Sequence, residues 1–317
     1  MQILIRTPNW LGDAVFNLPF IEQLSKNHEI TVVTRKNLTE LFVGYPLIVF
    51  EKKSELYRKH LCIKEKYDVY IVTPLSFSSA LAAYLSRAKT RIGFSFDMRD
   101  FLLTKKIKIP EDWKLKHTTE TYAHLYADFI SPTETKFSLN IPEDSLRSAE
   151  KILEEHNLKG KPFVTIAPFA QFGRAKEWGE HNYLELSRLL EPQGIHTIVL
   201  GSKGDISRSR IFEGKLIVNL AGKTSLWEAA SLAKGALAFV GGDSGLTHLA
   251  SLCGARTVAI FGPTPVAWTR PLGSRVYVLN AGISCSPCEE RDCPLGTKEC
   301  MNSIKPEAVF EIIRSSH

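Results

Sequence analysis

The sequence contains no apolar run approaching the roughly eighteen residues that a membrane-spanning helix requires. It has neither the G-x-G-x-x-G turn of a dinucleotide-binding fold nor a phosphate-binding P-loop. No internal repeat or low-complexity segment is present, and its six cysteines include only one C-x-x-C pair, Cys285 and Cys288. These absences exclude, in turn, a helical membrane protein, an ordinary nicotinamide oxidoreductase, a solenoid and a two-knuckle zinc module. Residues 1–6 read as a strand rather than as a signal-peptide core, so a soluble, cytoplasmic protein is expected.

What is present is enough chain for two cores: 317 residues, 44% of them hydrophobic. The net charge of +6 suits an anionic ligand or a membrane surface without demanding either, and most such surplus charge is solvated surface. No nucleic-acid partner is expected.

Strand-like and helix-like runs alternate almost throughout, the pattern of parallel sheets with crossover helices. Strands are predicted at 2–6, 30–34, 47–50, 69–73 and 90–94, then at 163–167, 196–200, 216–219, 236–241, 256–261 and 276–279. Helical stretches fall between them, and 143–156 followed by "NLKGKP" marks the division. The reading is α/β, two doubly wound domains at 1–156 and 157–317, with the last helix a candidate to pack back on the first domain. Ligands in such folds bind beyond the carboxyl ends of the strands.

Three strand-to-helix loops of the second half stand out. In "FVGGDSGLTHLASLCG" a strand meets Gly241 and Gly242, then Asp243 and Ser244, then a short helix ending at Gly254. Asp243 or Ser244 can cap that helix, whose free N–H groups would suit a phosphate. An ordinary tight junction with a satisfied cap fits the pattern equally. His248, one turn on, can hydrogen-bond a phosphate or be structural. "APFAQFGRAKEW" carries Arg174 and Lys176, either to neutralise a leaving group's charge or as a basic surface loop. In "LGSKGD", Asp205 can accept from ribose hydroxyls or cap the following helix. At the other end of the chain, "NWLGDAV" hands a strand over to a helix through Gly12 and a carboxylate, Asp13.

Together, "RTPNWLGDAVFNLP", "RIGFSFDMRDFLL", "APFAQFGRAKEW", "LGSKGD", "GGDSGLTHLASLCGARTVAIFGPT" and "CSPCEERDCPLGTKECM" resemble the bacterial heptosyltransferases of lipopolysaccharide core assembly, glycosyltransferase family 9. The likeness spans nearly the whole chain and is greatest to the heptosyltransferase II branch. It implies a GT-B architecture, two Rossmann-like domains facing across a cleft, with the acceptor on the first and the nucleotide sugar on the second. It further implies inverting transfer of heptose from ADP-L-glycero-D-manno-heptose to the heptose of the inner core, with no metal and no other cofactor. By the resemblance, Asp13 is the general base, and Lys176, Asp243, Ser244, Gly245 and His248 form the phosphate site. Asp205 falls on the ribose position and Thr224 near the adenine. Arg99, Arg58 and Lys105 are candidates for the anionic acceptor, and contact with the cytoplasmic face of the inner membrane is expected to be peripheral. Gly179 stands where the family pattern leads one to expect proline. Cys285, Cys288, Cys293 and Cys300 resemble a recurring feature of the branch, with zinc binding, redox chemistry and plain packing all open.

Other readings are addition of the first heptose to Kdo, use of another nucleotide sugar, or a catalytically dead nucleotide-sugar-binding protein. The presence of both Asp13 and Lys176 argues against the last.

Overall fold

The computed structural model describes residues 1–131 and 135–315. Two compact units divide the chain, Met1–Lys136 and Phe137–His317. In the first, β1 (Gln2–Arg6), α1 (Leu11–Ser25), β2 (Glu29–Arg35), β3 (Leu47–Phe50) and α2 (Lys53–Leu61) lead to β4 (Val69–Val72) and α3 (Phe77–Leu85). After these come β5 (Thr90–Phe94), β6 (Lys105–Ile107) and α4 (Thr118–Tyr126). All six strands are parallel, in the order β3-β2-β1-β4-β5-β6. The sheet therefore reverses direction of growth at β1, whose carboxyl end feeds the loop before Asp13. That is the position where an open α/β sheet forms its crevice.

The second unit opens with α5 (Glu143–Glu155), then β7 (Phe163–Ala167), α6 (Glu180–Leu190), β8 (His196–Val199), α7 (Ile206–Ser209) and β9 (Ile217–Asn219). It continues with α8 (Leu226–Gly235), β10 (Phe239–Gly242), α9 (Gly245–Leu252), β11 (Thr257–Phe261) and α10 (Val266–Thr269). The unit closes with β12 (Val276–Asn280), α11 (Glu299–Asn302) and α12 (Pro306–Arg314). Its parallel sheet runs β12-β11-β10-β7-β8-β9, so β7 and β10 flank the switch point. Side chains alternate across this sheet as the pleat requires. Val164, Ile166, Val240, Val258 and Ile260 meet Trp178, Tyr183 and Leu186 on one face, while Phe163, Ala167, Ile198 and Phe239 meet Ala229, Leu232 and Ala233 on the other.

Two sequence expectations are corrected here. The division falls at 136/137 and not at 156, because α5 buries Ala149 in the second unit's core beside Ile152 and Leu153. The last helix does not leave its unit: α12 buries Val309 and Ile313 against the α6 side of the second sheet. Its C-terminal carbonyls are held by Arg256, whose guanidinium donates to Ile312 O at 2.5 Å and Ile313 O at 3.2 Å.

A buried histidine gives the first unit a pH signature. His60 Nδ1–H donates to Leu56 O at 2.7 Å, which leaves Nε2 to accept from the Tyr70 hydroxyl at 2.8 Å. Burial pushes its pKa down to about 4, against the opposing pull of the Leu56 hydrogen bond, with the nearby Arg6 charge adding to the fall. The unfolded chain takes up this proton near pH 6.5, whereas the folded chain resists until about pH 4. The stability from His60 is therefore complete above pH 6.5 and is lost as pH falls towards 4, in total about 3 kcal/mol. Urea midpoints of wild type and His60→Gln should differ most near neutrality and converge below pH 5; a constant gap would contradict this.

Candidate active site

The carboxyl edge of the second sheet gathers the loops after β7, β8, β9, β10 and β11. Across the switch point, the Lys176 ammonium, from the loop after β7, meets the Asp243 carboxylate, from the loop after β10, at 2.5 Å. Asp243 is nearly sealed, its side chain 4% exposed, and it gathers two more donors. Thr264, after β11, donates to Oδ2 at 2.8 Å, and His248 Nε2–H in α9 donates to Oδ1 at 3.1 Å. Burial alone would raise the Asp243 pKa, but the His248 hydrogen bond and the Lys176 charge outweigh it and hold the carboxyl well below its ordinary range. The residue is thus a fixed negative charge that organises its neighbours. A lysine ammonium has three N–H donors, so the pair fixes the Lys176 head and leaves donors for a ligand.

Glycine makes the approach possible. A Cβ on Gly242 would stand 2.6 Å from the Lys176 carbonyl oxygen, and one on Gly241 would stand 2.7 Å from Thr247 Oγ1. Ser244 is the cap of α9, its hydroxyl accepting from Thr247 N at 3.4 Å, and Gly245 is the first helical residue. The N–H groups of the first turn and the helix dipole make this end favourable for an anion. Thr247, His248 and Ser251 all lie on α9. In the structure all three are buried and bonded, Thr247 Oγ1 to Gly242 O at 2.7 Å and Ser251 Oγ to His248 O at 2.9 Å.

The lysine loop is braced from behind by a residue that sequence reading missed. Glu177 is buried and takes a two-pronged contact from Arg208 of α7, at 2.8 and 2.6 Å, while also accepting from Ala170 N at 3.2 Å. Arg208 reaches Glu180 as well, at 2.7 Å, and lies over the Phe169 ring at 4.6 Å. Lys176 Nζ rests 4.6 Å from the Phe172 ring centroid. At the start of α6, Gly179 has φ 98°, a conformation closed to proline, which explains the departure from the family pattern.

Asp205 and Thr224 stand in the loops after β8 and β9, on the same edge. One Asp205 oxygen is occupied by its own turn, accepting from Ser202 N at 2.8 Å and Ser202 Oγ at 2.6 Å. Thr224 is half-buried and precedes Ser225, which caps α8 by accepting from Glu228 N at 3.2 Å.

In the first unit, Asp13 occupies the first turn of α1 and is half-buried. The helix cap is Trp10, three residues earlier, so Asp13 is not the cap. Tyr122 of α4, absent from the sequence reading, hydrogen-bonds to the carboxylate. Burial and then the Asp13 charge hold that phenol well above its usual range, so it stays a neutral donor. One turn on, Tyr126 OH donates to Asn17 Oδ1 at 2.9 Å, and Asn17 Nδ2 donates to Asp13 O at 3.0 Å. Behind the loop, the buried Arg6 guanidinium donates to Asn9 Oδ1 at 2.5 Å and lies 4.5 Å from the Phe50 ring centroid.

The three basic acceptor candidates are not gathered. Arg99 is 0% exposed. It donates to Phe94 O at 3.0 and 2.9 Å, to Ser76 O at 3.1 Å and to Pro74 O at 2.5 Å. It holds the loops after β4 and β5 together, its buried guanidinium committed to those three carbonyls. Lys105 opens β6 and pairs with Asp128, while Arg58 is exposed in the last turn of α2. Neither position is on the carboxyl edge.

A family model described as glycosyltransferase family 9 (heptosyltransferase) matches residues 57–299. The lipooligosaccharide heptosyltransferase 2 of Campylobacter jejuni (serotype O:6) is 28% identical, over 99% of this chain and 98% of its own. Among solved structures, the E. coli ADP-heptose lipopolysaccharide heptosyltransferase II gives a TM-score of 0.81 at 25% identity, covering 99% of this chain and 98% of that one. E. coli heptosyltransferase WaaC with ADP gives 0.71 at 19% identity over the full length of both.

Proposed function

This chain belongs to glycosyltransferase family 9 and is a glycosyltransferase of the heptosyltransferase kind, and from that premise we propose that it moves L-glycero-D-manno-heptose from ADP-heptose to the heptose of the lipopolysaccharide inner core. The observation that carries the reading is the cradle on the second unit, with Lys176 pinned by Asp243 beside the open N-terminus of α9. A diphosphate is the ligand such a cradle suits, since it takes ammonium and backbone donors together. Asp205 and Thr224, on neighbouring loops, are assigned to the ribose and the base. E. coli heptosyltransferase WaaC, which shares the fold, is known in a structure with ADP.

In the proposed reaction the acceptor hydroxyl oxygen attacks the anomeric carbon as Asp13 takes its proton. The bond from that carbon to the phosphate oxygen breaks, and the configuration inverts. The departing ADP carries its new charge to Lys176, Ser244, Gly245 and His248. Asp243 acts by position only, because a sealed, ionised carboxylate would repel phosphate. No metal is needed in these steps.

Contact with the anionic inner membrane is proposed for the segment after β5, where Lys105, Lys106, Lys108, Lys114 and Lys116 cluster in the sequence. Transfer to a lipid acceptor should then fall with added salt more steeply than ADP affinity does. Calorimetry with ADP and transfer measured over the same salt series test both halves. Failure to bind ADP would remove the donor site, and equal salt slopes would remove the membrane contact.

A further inference from the structure

Four of the six cysteines have no part in the reaction above, yet they come together. Cys285, Cys288, Cys293 and Cys300 all line one cavity of about 20 Å³, with Pro263, Ala175 and Lys298 among its other walls. That is space for one water-sized particle and no more. All four are free thiols. We propose that these four cysteines bind a single thiophilic divalent metal ion of the zinc class.

A second observation supports the chemistry. Cys293 Sγ accepts from Lys298 N at 3.3 Å. A metal-bound sulfur is commonly steadied by such a backbone donor. Lys298, in the cavity wall, offsets part of the negative charge that four thiolates would bring. Each thiol gives up its proton on ligation. The sulfurs ring the void without converging on one point: among the described residues no three His, Cys, Asp or Glu groups stand at a spacing that holds an ion. Ligation at metal–sulfur distances of about 2.3 Å would draw the sulfurs inward, and Cys285, Cys288 and Cys293 lie outside helices and strands. Cys300 is the fixed corner. It lies in α11, where a Cβ on Gly262 would stand 2.8 Å from its sulfur, and the adjacent Met301 is wholly buried.

A four-thiolate site has no open position, so its role is structural. What it would steady is visible in the contacts of the segment. Arg291 O accepts from Ala175 N at 2.9 Å, and a Cβ on Gly173 would stand 2.3 Å from that same oxygen. The Arg291 guanidinium lies 5.2 Å from the Phe172 ring against which Lys176 rests. The ion would hold the cysteine segment closed over the loop that carries Lys176.

The test is elemental analysis of the full chain, produced with zinc in the medium and freed of loose metal by a weak chelator. About one ion per chain is expected, as for a four-cysteine structural site. Cys288→Ser with Cys293→Ser should lose it, and Cys62→Ser, an exposed thiol elsewhere, should keep it. Should the double variant fail to fold, cobalt titration of the reduced, metal-stripped wild type decides, with tetrahedral cobalt–thiolate bands expected. Absence of both metal and bands in folded wild type overturns the proposal. So does a mass map of the native chain with these four cysteines paired as disulfides, or full metal content in the folded double variant.

Discussion

Replacing Asp13 by asparagine should lower heptose transfer by about 10²- to 10⁴-fold, the range typical of a removed general base, and leave ADP affinity unchanged. Asparagine keeps the shape at the first turn of α1 and can still accept from Tyr122, so the first unit should fold as before. What it lacks is a group able to take the acceptor proton. The carboxylate lies in the first unit and the phosphate cradle in the second, so a base has no cause to alter ADP binding. Steady-state transfer and calorimetry on the same preparation check both halves. A collapse of ADP affinity, or transfer at the wild-type rate, would remove Asp13 from the role.

The second large effect concerns Lys176. Lys176→Met keeps an unbranched side chain and removes the charge, so transfer should fall by about 10²- to 10³-fold, as for other lost electrostatic donors to a developing anion. The same change leaves Asp243 as a buried carboxylate without its ammonium partner, which typically costs about 3–5 kcal/mol, though His248 and Thr264 still donate to it. The two consequences can be separated. In Lys176→Met with Asp243→Asn the unpaired charge is gone, so the melting temperature should recover most of the loss while transfer stays low. Recovery of both together would reduce Lys176 to a structural ion pair. Recovery of neither would place the damage in the loop itself.

The fold was largely legible because parallel strands are covered on both faces and so read as short apolar runs. "QILIR", "LIVF" and "FVTIA" all appear as strands within a residue or so of their predicted limits. β6 escaped because it is an edge strand of sequence "KKI", where charge guards an exposed edge. The division at 136/137 escaped because an amphipathic stripe on α5 says that the helix packs, not which sheet receives it. In the site, Lys176 and Asp243 were legible as members of strand-to-helix loops on one edge. Their pairing was not, since Asp243 draws its partners from three places in the sequence. The burial of Arg99 was illegible for a related reason. A charge written in "FDMRD" looks available, but its partners are carbonyls of residues 74, 76 and 94, and no side-chain pattern announces a backbone acceptor. Tyr122 lies more than a hundred residues from Asp13 and reaches it only because α4 packs along α1.

The most direct test of the central claim is transfer from ADP-heptose to two acceptors, a bare inner core and one already carrying a heptose, with products read by mass. The account predicts that only the second acceptor gains one heptose. Extension of the bare core alone would contradict it and make this a first-heptose transferase, and no gain on either acceptor, with ADP still bound, would contradict the proposed sugar or acceptor.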